Sequence, residues 1–179
     1  TGFPKGVLSS HKNILSGLFS WALYSTLRNA VFGDGLTEAS EGVEPSILHC
    51  VPLFHVTGSH AGFLMSVISG RKMVMVSKWD TLEAMQLIQD EKITNITGVP
   101  TMTWEILTHP SRKDFDLSSL HDLGGGGAHR PPEHVKKLDE EFSNAKPSIG
   151  YGLTETNAIG TLNGGDDYLS RPASCGRVV

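Results

Sequence analysis

A basic surplus, long apolar runs and paired cysteines are all missing from this sequence, and each absence closes off a class of function. Fifteen Lys and Arg stand against 19 Asp and Glu, a net charge of −4, and the cations are scattered. A nucleic-acid partner is therefore not expected, because such proteins gather basic residues into a patch or stripe. The longest apolar stretch, Ala61 to Ile68, is interrupted by Gly62 and Ser66 and falls short of the roughly 20 residues that span a bilayer. No charged start followed by an apolar run marks a signal peptide. Cys50 and Cys175 lie far apart, so neither a disulfide framework nor a zinc site is expected, and a reducing cytoplasm is the expected location.

Several catalytic signatures are absent as well. Gly-Lys followed by Ser or Thr occurs nowhere, which excludes a Walker A loop. Gly-x-Ser-x-Gly is also absent, which weakens a hydrolase reading. The run Gly124-Gly125-Gly126-Gly127-Ala128 lacks the dinucleotide order, because the positions three after Gly126 and Gly127 are His129 and Arg130. His49, His55 and His60 are separated by six and five residues, spacings that suit neither one helix face nor one strand face, so no metal site is expected there.

What is present is an ordinary globular composition. The chain has 179 residues, 39% of them hydrophobic, enough to bury one core and read as one domain. It begins at Thr1 and ends at Arg177-Val178-Val179, and the reading is of a piece of a longer protein.

Ser9 and Ser10 offer caps for a helix carrying Ile14, Leu15, Leu18, Phe19, Ala22, Leu23 and Leu27 at helical spacing, expected to run to about Arg28. From Gly33 to Pro45 the composition is that of an exposed connection. Thereafter strand-like and helix-like segments alternate: Ile47 to Val51, Gly58 to Ser69, Met73 to Val76, Leu82 to Glu91, Asn95 to Thr97, Thr101 to Leu107, Leu120 to Leu123, Pro132 to Phe142, Pro147 to Ile149. Alternation of this kind predicts an α/β fold, a doubly wound and mainly parallel sheet with helices on both faces. Ligands in such sheets collect beyond the carboxyl ends of the strands. Three stretches rich in Gly or Pro fall there: Pro52 to His55, Gly124 to Ala128, and Gly150 to Glu155.

Each stretch has a chemical reading beside a plain one. Thr1-Gly2-Phe3-Pro4-Lys5-Gly6-Val7 precedes a helix start and combines amides, a hydroxyl and an ammonium suited to phosphate; the plain reading is a proline turn. In Gly150 to Glu155, two glycines flank Tyr151, whose ring offers a face to a purine, while Thr154 and Glu155 are hard oxygen ligands; the plain reading is a strand end that turns. His55 either faces a carboxylate substrate or is a satisfied interior histidine.

Taken in order, these segments resemble the AMP-binding superfamily of acyl-CoA synthetases, aryl-CoA ligases, firefly-type luciferases and nonribosomal adenylation domains. Thr1 to Val7 is similar to the second half of that family's phosphate loop, Pro52 to Gly58 to its Pro-Leu-Phe-His segment, and Gly98-Val99-Pro100-Thr101 to another of its stretches. Gly126-Gly127-Ala128 sits where the family has its Gly-Gly-Ala-Pro turn. Tyr151 to Glu155 matches Tyr-Gly-x-Thr-Glu, and Pro172 to Gly176 resembles the stretch that follows.

The resemblance implies that Thr1, Gly2 and Lys5 belong to the ATP phosphate loop, that Tyr151 stacks on adenine with Ala128 and Gly152 beside it, and that Thr154 contacts phosphate. It implies Glu155 as the magnesium ligand, and His55, Gly127 and Gly150 as neighbours of the acyl carboxylate and the adenylate. Lys5, His55, Thr154 and Glu155 would be the catalytic set. The implied co-substrates are ATP with Mg, a small-molecule acid and coenzyme A. The reaction would join a carboxylate to the α-phosphate of ATP and then pass the acyl group to a thiol, chemistry that needs charge stabilisation rather than a protein nucleophile.

The pocket-side helix from Gly58 to Ser69 offers Ala61, Gly62, Leu64 and Met65, from which a fatty or related hydrophobic acid is expected. Val56-Thr57-Gly58-Ser59 lacks the Asp anchor of a nonribosomal domain, whereas an aryl-CoA ligase or a non-catalytic nucleotide- or acyl-binding module stays open. Residues 1–179 would form one subdomain of the family's large N-terminal domain, without its ribose-binding Asp, hinge or small C-terminal domain. The segment alone is therefore expected to be inactive. His129 and Arg130 stand where the family has Pro and Leu.

Overall fold

Ser10 opens the first helix. Its hydroxyl oxygen accepts the Asn13 N–H at 3.2 Å, satisfying one of the donors that a helix start leaves unpaired. In the computed structural model, which describes residues 2–32 and 42–179, this helix, α1, runs from His11 to Phe32. It outlasts the expected end near Arg28, since Asn29-Ala30-Val31 contains no helix breaker. Thr1, and the expected connection from Gly33 as far as Glu41, lie outside the described residues.

The remaining elements alternate as the pattern predicts. β1 (Ser46–His49) leads to a π-helical turn, Thr57–Leu64, that continues as α2 (Met65–Ser69). Then come β2 (Lys72–Met75), α3 (Thr81–Glu91), β3 (Asn95–Gly98), α4 (Pro100–Thr108), β4 (Asp122–Gly126), α5 (Pro132–Glu141) and β5 (Lys146–Tyr151). Local chemistry sets the boundaries: Asp80 caps α3 by accepting the Glu83 N–H at 2.9 Å, and Pro100 and Pro132 stand first in their helices, where a missing N–H loses nothing. A short helical turn (Thr154–Thr156), β6 (Thr161–Gly164), α6 (Gly165–Ser170) and β7 (Arg177–Val178) complete the chain.

Among the described residues the strands form one sheet in the order β2-β1-β3-β4-β5-β6-β7. β2 through β5 are parallel, and β6 and β7 join antiparallel. The doubly wound, mainly parallel expectation holds; the antiparallel edge was not expected, because both strands are short and β6 bears Asn and Gly.

Side-chain alternation divides the sheet's two faces. Leu48, Ile96 and Leu123 are buried with Met85 and Ile88 of α3, Ile106 of α4 and Leu138 of α5 in the main core. Their neighbours in sequence, His49, Asn95, Thr97, Asp122 and Gly124, point the other way, toward α1 and the π-helical turn. A Cβ on Gly62 would collide with the His49 ring, and one on Gly58 with the Pro52 carbonyl oxygen, so both glycines let the turn lie close on the sheet. No helix among the described residues is long and apolar enough to cross a membrane.

Candidate functional site

One expectation needs correcting before the site is built. Gly124, Gly125 and Gly126 are not part of a loop after the strand; they are the last three residues of β4 itself. Glycine in a strand reads as punctuation in a sequence, but here it clears space on both faces. A Cβ on Gly125 would stand 2.6 Å from the Arg130 guanidinium. On the opposite face, a Cβ on Gly124 would stand 2.9 Å from the Thr97 hydroxyl and 3.0 Å from the Asp122 carboxylate. The turn begins only at Gly127, whose φ of 72° favours glycine.

Beyond that turn two cavities meet. The first, about 430 Å³, is lined by Gly127, Ala128, Tyr151, Gly152, Tyr168 and the segment Pro172 to Cys175. The second, about 340 Å³, is bordered at its mouth by His55, Gly126, Gly127, Gly150, Thr154 and Glu155. Gly127, Gly150, Gly152 and Leu153 line both. Volumes in this range suit small-molecule sites.

The structure brings most of the predicted site residues together here: His55, Gly127, Ala128, Gly150, Tyr151, Gly152, Thr154 and Glu155. Gly2 and Lys5 are exposed and line neither cavity, and Thr1 lies outside the described residues. Their loop is nevertheless tied to the site, since Ser9 donates to the Asn157 side chain at 2.6 Å, one helical turn after Thr154 and Glu155.

That turn is held in an unusual backbone. Asn157 and Ala158 both have positive φ, 53° and 74°, a conformation that costs non-glycine residues about 1–3 kcal/mol and persists only where the surroundings enforce it. Thr156 enforces it in part: its hydroxyl accepts the Leu153 N–H at 2.9 Å. The Glu155 carboxylate forms no hydrogen bond or ion pair among the described residues, and its exposed position faces the cavity mouth. Tyr151 is 53% exposed and lines the first cavity. A Cβ on Gly152 would collide with the Ala158 carbonyl oxygen. Gly152→Ala should therefore destabilise by roughly 1–3 kcal/mol, read by denaturant melts.

His55 is exposed, and its Nδ1 accepts the Thr57 N–H at 3.2 Å, which directs Nε2 as the free ring nitrogen. His49 is buried against the π-helical turn, and desolvation followed by the charge of Arg71 lowers its pKa. His60 pairs through Nδ1 with the Ser59 hydroxyl at 2.9 Å. Among the described residues no three His, Cys, Asp or Glu side chains are grouped to hold a metal ion.

Of the four residues expected to face the pocket from the helix after Gly58, only Ala61 and Met65 do so. Thr57, Ala61, Met65 and Ser69, four apart, make the cavity wall, while Gly62 turns to His49. Sequence reasoning missed the cavity floor altogether. It is built by Asn95 and Thr97 of β3, Asp122 of β4, Ser148 of β5 and Arg71 just before β2, with Trp21 of α1 alongside. The signal was available in positions two apart: 95 and 97, 122 to 126, and 148 and 150 share one face of the sheet.

Asp122 is half-buried on that floor. Burial pushes its carboxyl up from 3.8 to about 6, opposed by a hydrogen bond from Ser148 and then by Arg130, Arg71 and Arg28. Because the folded value exceeds the unfolded one, the contribution is fully present below about 3.8 and is lost as pH rises through about 6. Asp122→Asn, which cannot ionise, should gain stability relative to the wild type between pH 4 and 7, measured as the difference in urea midpoints.

Arg130, one of the two residues that depart from the resembled pattern, is almost wholly buried. It donates to the carbonyl oxygens of Ser148 at 3.0 Å and Leu123 at 3.1 Å, and to the Thr103 hydroxyl at 3.4 Å. It thus ties β4, β5 and α4 beneath the first cavity.

Known proteins resemble this chain over most or all of its length. The family described as AMP-binding enzyme matches residues 1–179. A methyl-dioxo-octahydroindenyl-propanoyl:CoA ligase of Mycobacterium tuberculosis is 34% identical over 99% of this chain and 32% of its own length. A long-chain-fatty-acid–CoA ligase of Bacillus subtilis is 34% identical over 91% of this chain and 27% of its own. The chain thus spans about a third of the length of these curated relatives. Among solved structures, the o-succinylbenzoate CoA synthetase of Bacillus subtilis, in complex with its acyl-adenylate intermediate, superposes with a TM-score of 0.79 at 26% identity. That match covers all of this chain and 33% of that one. The N-terminal domain of FACL13 from Mycobacterium tuberculosis superposes at 0.80, also at 26% identity, over 99% of this chain and 40% of that one.

Proposed function

The chain belongs to the AMP-binding enzyme family, and on that premise we propose that it forms part of an acyl-CoA synthetase, one subdomain of the catalytic N-terminal domain. The observation that carries the reading is the meeting of two cavities at Gly127, Gly150, Gly152 and Leu153, with Thr154 and Glu155, next in the chain, lining the second. A nucleotide in the first cavity and an acid in the second would have their reacting ends side by side.

The residues fit the groups this reading requires. Tyr151 presents a ring face for adenine, and Ala128 and Gly152 allow the base to lie close to backbone. The Glu155 carboxylate, unengaged by other described residues, and the Thr154 hydroxyl are hard oxygen donors of the kind magnesium takes. A bound magnesium ion would neutralise phosphate charge. His55 borders the acid's carboxylate, where its ring can donate a hydrogen bond. Lys5 and Gly2 stand on the phosphate loop, which the Ser9 to Asn157 bond holds to the site. Preorganised donors and cations lower the barrier at a phosphoryl centre without a protein nucleophile.

The acid is a fatty or related one with a hydrophobic stem, since Trp21, Ala61, Met65 and Leu162 wall the second cavity. Coenzyme A is the acceptor on this reading; the Bacillus subtilis relative named a long-chain-fatty-acid–CoA ligase supports both choices. Acid-dependent exchange of labelled pyrophosphate into ATP, run on the full-length protein with a panel of acids, tests the first half-reaction. Exchange that requires acid supports the reading, and its absence with every acid contradicts it. The 179-residue segment alone should give only background exchange.

A further inference from the structure

The second cavity has a polar floor that chemistry at its mouth does not employ. Its mouth lies at Gly126, the carboxyl end of β4, and Asp122 begins the same strand four residues away, roughly 13 Å at about 3.3 Å per residue. Between them Gly124 and Gly126 project no side chain, so the cavity runs along the strand to the carboxylate. Apolar walls thus lead to a charged end.

The floor's donors and acceptors restrict what can sit there. Ser148 hydrogen-bonds to Asp122, and Arg71, Arg130 and Arg28 are close enough for their charges to act on it. Arg71 is anchored with its Nε on the Ser66 hydroxyl at 2.9 Å and Nη2 on the Ala61 carbonyl oxygen at 3.2 Å, and it faces the cavity beside Asp122. An alkyl end would desolvate both charges without replacing their water. An ammonium would meet the Arg71 guanidinium, and a second carboxylate would meet Asp122. A ketone could accept from Arg71 but offers Asp122 nothing when that side chain is ionised. A hydroxyl accepts from Arg71 and donates to Asp122 at once.

We propose that the acid activated by this protein carries a hydroxyl group at its far end, seated between Asp122 and Arg71. The proposal rests on the adenylate-forming reading above and narrows its substrate class to hydroxy acids. Asp122, with its carboxyl near 6, has a partner for a hydroxyl in either protonation state, accepting as the carboxylate and donating as the acid.

The test compares straight-chain alkanoic acids of graded length, each with its ω-hydroxy, ω-amino and ω-carboxy counterpart, in pyrophosphate exchange by the full-length protein. At the length that turns over fastest, kcat/KM should favour the hydroxy acid over the alkyl acid by about tenfold or more. Asp122→Leu should reverse the order, and Asp122→Asn, which retains hydrogen bonding with little change of shape, should keep the hydroxy preference; melting curves confirm that each variant is folded. Should Asp122→Leu fail to fold, the Asp122→Asn variant and the wild-type preference decide the matter. Exchange that favours alkyl, amino or dicarboxylic acids, or that is indifferent to the far end, overturns this proposal and leaves the ligase reading standing. No exchange with any acid overturns the ligase reading itself.

Discussion

Glu155→Gln in the full-length protein should lower acid-dependent pyrophosphate exchange by about 100-fold or more while leaving its melting curve unchanged. The two halves of that expectation have separate grounds. The Glu155 carboxylate is exposed and has no hydrogen-bond or ion-pair partner among the described residues, and substitutions at such sites usually change stability by less than about 0.5 kcal/mol. It lines the second cavity beside Thr154, two residues after Leu153, which lines both cavities, so on the proposed reading the charge is removed from where phosphate charge is balanced. Removing one aligned electrostatic group at a reacting centre lowers rates by about 10²–10³. Glutamine keeps the size and loses the charge, so a large fall in exchange with an intact fold isolates electrostatics from packing. Exchange within a few-fold of wild type would remove Glu155 from the site.

Arg130→Ala should have the opposite signature, a loss of roughly 3–5 kcal/mol of stability. Its guanidinium is buried and bonded to two strand carbonyl oxygens and the Thr103 hydroxyl. Without it those acceptors lose their donor, and Asp122 loses one of the positive charges that hold its carboxyl down. Lysine should not rescue the loss, because an ammonium cannot reproduce a planar fork reaching β4, β5 and α4 together. Gly125 belongs to the same arrangement, since a side chain there would stand against the guanidinium. Urea unfolding of the full-length variants reads the effect; an Arg130→Ala midpoint equal to wild type would show that the buried charge is not what joins these elements.

Much of the fold was legible because parallel strands and their helices carry strong, separate periods. Met73 to Val76 reads as a strand, though as the edge strand β2 it is only partly buried, with Met75 exposed, and Leu82 to Glu91 reads as a helix with its apolar stripe. The antiparallel edge at Thr161–Gly164 and Arg177–Val178 was not legible, because the first strand carries Asn and Gly and the second is only two residues long, too short to show a period. In sequence the glycine run reads as a loop, because glycine usually breaks strands. In β4 it stays, since one face must admit Arg130 and the other must leave a cavity open.

The candidate site divides in the same way. Tyr151, Thr154 and Glu155 stood out because glycines and hard oxygen ligands cluster next to one another in the chain. The floor did not stand out, because Arg71, Asn95, Asp122 and Ser148 belong to four different strands or their starts, and only the sheet brings them together. Each alone reads as an ordinary strand-end polar residue. Arg130 read as a departure at the adenine edge, whereas its bonds make it a clamp beneath the first cavity.

The most direct test is a crystal structure of the full-length protein with a non-hydrolysable acyl-adenylate analogue, a sulfamoyl adenosine carrying a hydroxy-acyl chain. The account predicts adenine on the Tyr151 face, the sulfamoyl group between Gly127 and Thr154, and the acyl chain running down β4 toward Asp122. An analogue bound outside the two cavities, or an acyl chain directed away from the sheet, would contradict it.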